Sequence, residues 1–195
     1  MGEVRYLGFS NWSAWKAATA VQMQKARGWA QFSSGQMYYS LVGRDVESEI
    51  VPFMRFAGLG MTVWSPLAGG FLSGKYTREN LKDSENRLAG FDILPFDKEA
   101  GFKVVELMRE IAGRHEASAA QLAIAWLLAK PVVSSVIVGA SKPHQLEDNL
   151  KAADVKLGGA EVAELDSITA PTPLYPKWFN ANLVDAKQKA AIGAA

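Results

Sequence analysis

Strand-like runs alternate with helix-like runs along this chain, and that alternation constrains the fold more than any other feature. The apolar runs Val4–Ser10, Gly35–Ser40, Met61–Ser65 and Val133–Ala140 each end in small or polar residues. Ser13–Ala26 opens with a hydroxyl and places Trp15, Ala18, Val21 and Met23 on an apolar stripe. Glu47–Ala57 carries Ile50, Phe53, Met54 and Ala57 at helical spacing and stops at Gly58. Ser118–Lys130, "SAAQLAIAWLLAK", has a capping serine and an almost wholly apolar body, which predicts a buried helix. Pro143–Ala153 and Ala160–Ile168 read as two more helices, and Lys98–Arg114 as an amphipathic one inserted before the fourth strand. Repeated strand-then-helix order predicts an α/β fold: one domain, residues 1–195, with four parallel strands and helices outside them.

The strands share a punctuation. Their ends read "FSNW", "YYSL", "WSPL" and "GASK". In parallel βα folds ligands collect at the carboxyl ends of the strands, where successive loops share one face. Turn chemistry accounts for any one corner alone; four on one face point to a binding surface.

Composition removes several functional classes. Lysine and arginine number 21 against 20 acidic residues, so no broad field draws in nucleic acid or an acidic membrane. The absence of cysteine excludes a disulfide framework, a thiolate zinc site and a cysteine nucleophile, and no other metal site is expected. No run resembles a signal peptide or nears the roughly 20 apolar residues of a membrane span. A cytoplasmic protein is expected, with no membrane and no nucleic-acid partner. The stretch "VWSPLAGGFLSGKY", residues 63–76, starts as a strand and becomes a loop of small residues beside Lys75, a composition that lets something approach the backbone. Residues 68–97 as a whole read as a lid-like loop over the binding face.

Taken together, "VRYLGFSNWSAWKA", "QMYYSLVGRDVE", "VWSPLAGGFLSGKY" and "VIVGASKPHQLEDNL" resemble the second half of an aldo-keto reductase, in order and spacing. "LDSITAPTPLYPKWF" is similar to the family's C-terminal tail, so the likeness runs from Val4 to Phe179. It extends to bacterial aldo/keto reductases and to the potassium-channel beta-subunit-like branch. The resemblance implies the C-terminal half of a (β/α)8 barrel, truncated at its N-terminus, with an extra helix before the last barrel helix. It also implies NADP(H) as cofactor and carbonyl groups of aldehydes or ketones as substrates.

Site residues follow from the matched motifs. By this resemblance Ser10 and Asn11 hold the nicotinamide carboxamide, with Gln36 as third partner. A primary amide has one acceptor and two donors, which hydroxyl and amide side chains complement; a simple turn capping the next helix is the alternative. Trp64 matches the ring that stacks on the nicotinamide. Ser65, Pro66, Leu67, Ala68 and Gly69 match the loop under the pyrophosphate, Lys75 adds positive charge, and Arg87 matches a basic position closing over the cofactor. Gly139, Ser141, Lys142, Gln145, Asp148 and Asn149 match the adenosine end. Ser141 and Lys142, at a helix N-terminus, suit a 2′-phosphate. Many relatives carry arginine where Gln145 stands, which leaves the NADP preference resting on Lys142.

The family's aspartate, tyrosine, lysine and histidine, with tyrosine as general acid, come from the first half of the barrel, upstream of the match. No catalytic residue is assigned here: His115 and His144 read as surface histidines, and one of Tyr38 and Tyr39 is expected to face the core. Three alternatives stay open: part of a longer reductase, which the retained Ser10, Asn11, Gln36, Trp64 and Lys75 favour; a short dinucleotide binder without chemistry; or a protein-interaction half-barrel. Alone, the chain is expected to be inactive, and its open apolar strand edges to promote self-association.

Overall fold

The structure, a computed structural model, describes residues 3–81 and 93–183. A sheet of four strands lies at its centre: β1 (Leu7–Ser10), β2 (Phe32–Tyr38), β3 (Gly60–Trp64) and β4 (Val133–Val136), in that spatial order. All three neighbouring pairs are parallel. Around them stand α1 (Ala14–Ala26), α2 (Ile50–Ala57), α3 (Lys98–Arg114), α4 (Ala119–Leu128), α5 (Pro143–Leu150), α6 (Gly159–Ile168) and α7 (Lys177–Leu183).

Strand bounds shift from the expected ones for local reasons. β2 starts three residues earlier than Gly35, because Phe32 pairs with Leu7 and the Ser33 hydroxyl donates to the Leu7 carbonyl at 3.2 Å. It ends at Tyr38, since Ser40 turns back on Gly43 through two 3.1 Å backbone bonds. β3 stops before Ser65, whose φ of 54° leaves the pleat. β4 stops at Val136, four residues short of Ala140, and only the Ile137 N–H, 2.8 Å from the Val63 carbonyl, extends its ladder.

α1 is rotated against its expected stripe. Ala17, Val21 and Gln24 face the sheet, while Trp15 and Met23 are 72% and 44% exposed. Ser13 occupies the cap position of α1, but its side chain makes no capping bond. α2 ends as predicted at Gly58, whose φ of 68° needs no Cβ. α4 is the most buried helix, every residue from Ala119 to Leu127 being covered. It lies between α3, β4, α5 and the turns at Ala68–Ser73 and Lys151–Ala153. Burying side chains such as Leu122, Trp126 and Leu127 stabilises by about 1.5–3 kcal/mol each.

A polar clasp closes the outer layer over Trp126. Asp166 of α6 accepts from the Trp126 indole at 2.9 Å and from Lys130 at 2.6 and 2.7 Å. Arg44 donates to the Asp166 carbonyl at 2.8 Å, to Thr169 at 2.7 Å, and to both oxygens of Glu47 at 2.8 and 2.9 Å. Tyr39 is the tyrosine that faces the core; its hydroxyl donates to Glu47 at 2.6 Å. Burial raises Glu47's pKa, but the hydrogen bonds from Arg44 and Tyr39 outweigh it and hold the carboxyl below its ordinary value. Burial, then the bond to Glu47, pushes the Tyr39 phenol far up.

The two faces of the sheet differ in character. Side chains alternate along each strand, and Phe9, Met37, Met61 and Val63 take the helix side. Ser10, Gln36, Tyr38, Thr62, Trp64 and Ser135 share the other face through the register Ser10–Gln36–Thr62–Ser135 and Tyr38–Trp64. This face is polar and aromatic. Among the described residues, no helix is long and apolar enough to cross a membrane.

Candidate functional site

The strand order sets the site. β1, β2 and β3 are adjacent, so their carboxyl ends present Ser10–Asn11, Gln36–Tyr38 and Trp64 to one another. Asn11 is the hub. Its N–H donates to the Gln36 carbonyl at 3.1 Å, its amide NH2 to the Ser10 hydroxyl at 3.1 Å, and its amide oxygen accepts from the Trp64 indole at 2.9 Å. The φ of 56° at Asn11 is left-handed, a region asparagine tolerates better than most residues. The chain therefore turns at β1 so that one short amide fixes the neighbouring corner and the indole two strands away.

Four of the sequence-selected residues, Ser10, Asn11, Gln36 and Trp64, thus stand together. Among the described residues the Gln36 side chain makes no hydrogen bond, and it faces the open side. Trp64 is half-buried, with its ring centre 5.2 Å from that of Tyr38. Tyr38 was missed as a site neighbour, although its parity with Gln36 on the strand was the available signal. Its phenol lies 3.0 Å from the Ser40 hydroxyl. Burial raises its pKa, the Ser40 bond opposes this, and the Asp45 charge adds to the rise.

The loop after β3 is built differently from the expectation of free N–H groups. Ser65, Ala68, Gly69 and Gly70 have φ of 54°, 47°, 69° and 92°, forming two left-handed bends. The N–H of Ala68 donates to the Ser65 carbonyl at 3.0 Å, that of Gly70 to Leu67 at 2.9 Å, and that of Gly69 to the Ser65 hydroxyl at 3.3 Å. Those donors are spent inside the loop, and Pro66 has none. The loop does bring Lys75 back: a Cβ on Gly70 would lie 3.4 Å from the Lys75 ammonium. Within the expected lid, Ala68, Phe71, Leu72 and Tyr76 are packed in the core. Leu94 is buried too, and Phe96 packs 5.0 Å from Phe71 between ring centres. Arg87 and the middle of the expected lid lie outside the described residues.

At the end of β4 the structure assigns structural work to residues expected to meet a nucleotide. The Gln145 amide oxygen accepts from the N–H groups of Ser141 and Lys142 at 3.0 and 3.2 Å, and from the Ser141 hydroxyl at 3.0 Å. It occupies the donors that would face a 2′-phosphate. Asp148 is turned inward: it accepts from the Ser118 hydroxyl at 2.8 Å and from the Gln121 amide at 2.6 Å, reinforcing the capping box of α4. Asn149 is buried, while Gly139, Ser141 and Lys142 are exposed. Asp148 and Asn149 are therefore not displayed to an adenine. His144 is exposed as expected, but His115 is not a free surface histidine. It lies 3.0 Å from both Glu161 oxygens, pinning α6 to the corner between α3 and α4.

Comparison with known proteins agrees with this architecture. The model of the Aldo/keto reductase family matches residues 1–170. The chain is 32% identical over 178 residues to versiconal hemiacetal acetate reductase of Aspergillus parasiticus, covering 90% of this chain and 51% of that protein. It is 35% identical over 156 residues to the uncharacterized oxidoreductase YrpG of Bacillus subtilis, covering 80% of this chain and 46% of that protein. It is 39% identical over 166 residues to a probable voltage-gated potassium channel subunit beta of Oryza sativa, covering 79% and 48% respectively. The chain spans about half the length of these relatives. With four parallel strands, outer helices and this match, the chain is a partial (β/α) barrel and belongs to the aldo/keto reductase family.

Proposed function

We propose that this chain is the nucleotide-binding part of an NADP(H)-dependent reductase of aldehydes or ketones. The observation that carries the proposal is the convergence of Ser10, Asn11, Gln36 and Trp64 through Asn11's bonds to Ser10, Trp64 and the Gln36 backbone. The donor set fits a nicotinamide. Gln36 has an unused amide, Ser10 a hydroxyl, and Trp64 a flat ring held by its own N–H.

When bound, the dinucleotide supplies the hydride. This chain's residues supply position. Asn11 locks the Trp64 indole in one orientation, so the ring offers a fixed surface against which a planar heterocycle stacks. Ser10 and Gln36, opposite each other in the β1–β2 register, select the orientation of its carboxamide. Lys75, folded over Gly70, puts a positive charge beside the loop that leads away from Trp64. Lys142 and the first N–H groups of α5 suit a 2′-phosphate once Gln145 swings aside. We assign no proton donor among the described residues: burial raises the Tyr38 pKa, which makes its phenol a weaker acid, and the phenol lies 3.0 Å from the Ser40 hydroxyl. That donor belongs to the remainder of a family-length protein, and a non-catalytic dinucleotide-binding role is the second reading for the chain alone.

β1 and β4 each pair with a single strand among the described residues, which leaves one ladder edge on either side. Parallel edges of this kind recruit a complementary strand, and self-association of two copies edge to edge is the arrangement we propose for the isolated chain. Light scattering tests it; a monodisperse 21.2 kDa particle contradicts it. For the nucleotide reading, NADPH and NADH are titrated against wild type and Lys142→Ala. The variant should lose NADPH affinity and keep NADH affinity, and equal losses refute the 2′-phosphate assignment. Aldehyde-dependent NADPH oxidation by the isolated chain would refute the assignment of the proton donor elsewhere.

A further inference from the structure

A second recess lies outside the predicted nucleotide residues, except that Asn11 forms part of its rim. It is a groove of about 540 Å³ between the start of α1 and the start of α2. Trp12, Trp15 and Tyr38 supply aromatic lining, and Asp45 and Glu49 line the groove as well. The volume is within the usual range for small-molecule sites.

Three features of the groove agree on the charge of its occupant. Asp45 and Glu49 both line the recess, both are exposed, and neither makes an ion pair among the described residues. Trp15, in the first turn of α1, is 72% exposed at the lip, an indole covered by nothing on its own helix. The Lys16 ammonium lies 4.8 Å from the Trp12 ring centre, so the chain's own cation uses that aromatic face and a ligand's cation takes its place there. Arg44, the other nearby cation, is turned away into its bonds with Glu47, Asp166 and Thr169. An anion would meet two carboxylates, and a purely apolar molecule would leave them unused. Aromatic faces with nearby carboxylates are the chemistry that recognises an organic ammonium ion.

We infer that this groove between α1 and α2 binds a small organic cation, an alkyl- or arylammonium, with its charge between the Trp12 and Trp15 rings and the Asp45 and Glu49 carboxylates. The inference does not depend on nucleotide binding, and its test uses nucleotide-free protein.

Isothermal titration of the full chain with benzyltrimethylammonium, against N-benzylacetamide as a neutral molecule of similar shape, measures it. The expected result is saturable binding of the cation and none of the amide. Asp45→Asn with Glu49→Gln should weaken binding about tenfold, from two exposed charge contacts plus the altered field at the rings. Lys16→Met should tighten it by removing a competing cation, and Trp15→Phe should weaken it about two- to threefold. Unchanged far-UV circular dichroism and melting of these surface variants separates lost binding from lost folding. Equal binding of the neutral amide, indifference to the carboxylate pair, or no saturable heat with wild type would each overturn the assignment.

Discussion

Replacing Asp166 with alanine removes the anion on which the clasp over Trp126 converges. The Lys130 ammonium loses contacts of 2.6 and 2.7 Å, the Trp126 indole N–H loses its acceptor at 2.9 Å, and Arg44 loses an ion pair at 3.5 Å. Trp126 is fully buried, and the Arg44 and Lys130 side chains are only 8% and 15% exposed, so water replaces these contacts poorly. Breaking a buried ion pair from one side costs about 3–5 kcal/mol, and an unsatisfied buried donor about 1–3 kcal/mol. The Asp166 carboxylate is itself 32% exposed, and Arg44 keeps its bonds to the Asp166 carbonyl, Thr169 and Glu47, which lowers the expected loss. We expect about 2–4 kcal/mol for Asp166→Ala, and about half of that for Asp166→Asn, which retains an acceptor for the indole. Urea unfolding at neutral pH, followed by tryptophan emission, measures both. A loss below about 1 kcal/mol for Asp166→Ala, within the range of an exposed pair, would refute the view that this clasp fixes α6 to α4 and to the turn that carries Arg44.

Three further outcomes follow from particular contacts. Glu47 and Glu161 have carboxyl pKa values below the ordinary one in the fold. For Glu47 the Arg44 and Tyr39 hydrogen bonds overcome burial; for Glu161 the Gly158 N–H acts first and then His115. A depressed folded pKa stabilises above the unfolded value, so stability should hold down to about pH 4.5 and fall below it. Glu47→Gln should flatten that acid limb in thermal melts, and an unchanged pH slope would contradict the argument. The Tyr76 hydroxyl is buried without a hydrogen-bond partner among the described residues, so Tyr76→Phe should leave the melting temperature unchanged or raise it. Gln145→Ala should free the Ser141 and Lys142 N–H groups and strengthen binding of inorganic phosphate, read by amide chemical shifts at those positions. Shifts no larger than in wild type would count against the anion seat.

The sheet was legible because β-strand and helix periods differ and every strand is followed by a marked corner. The predicted range Lys98–Arg114 is the observed α3, and the capping role of Ser118 holds with Gln121 as its reciprocal partner. Parallel order gathers the strand ends on one side, with Ser10 opposite Gln36 and Trp64 opposite Tyr38, whereas the choice of Ser10, Asn11, Gln36 and Trp64 came from the resemblance. Other features lie beyond local pattern. A carboxylate or amide just inside a helix start has one signature whether it caps that helix, caps a neighbour or meets a ligand. Gln145 and Asp148 chose the first two. The phase of α1 was misjudged because Trp15 and Met23 are apolar enough to look buried, while the actual stripe includes Gln24, whose amide oxygen accepts from the Phe32 N–H at 3.2 Å. Pairings such as Arg44 with Asp166 and His115 with Glu161 join residues far apart in sequence, and no periodicity signals them.

The central claim is that the strand-end cluster around Asn11 receives a nicotinamide dinucleotide. Titrating NADPH into the nucleotide-free chain, following the nucleotide's own emission, tests it most directly when wild type is compared with Trp64→Ala and Asn11→Ala. Wild type should bind saturably, and Trp64→Ala should lose about 0.5–1.5 kcal/mol, the value of one ring stack. Asn11→Ala should cost at least as much, because it frees the indole that Asn11 holds at 2.9 Å. Wild-type binding that neither substitution alters, or no binding at all, would contradict it.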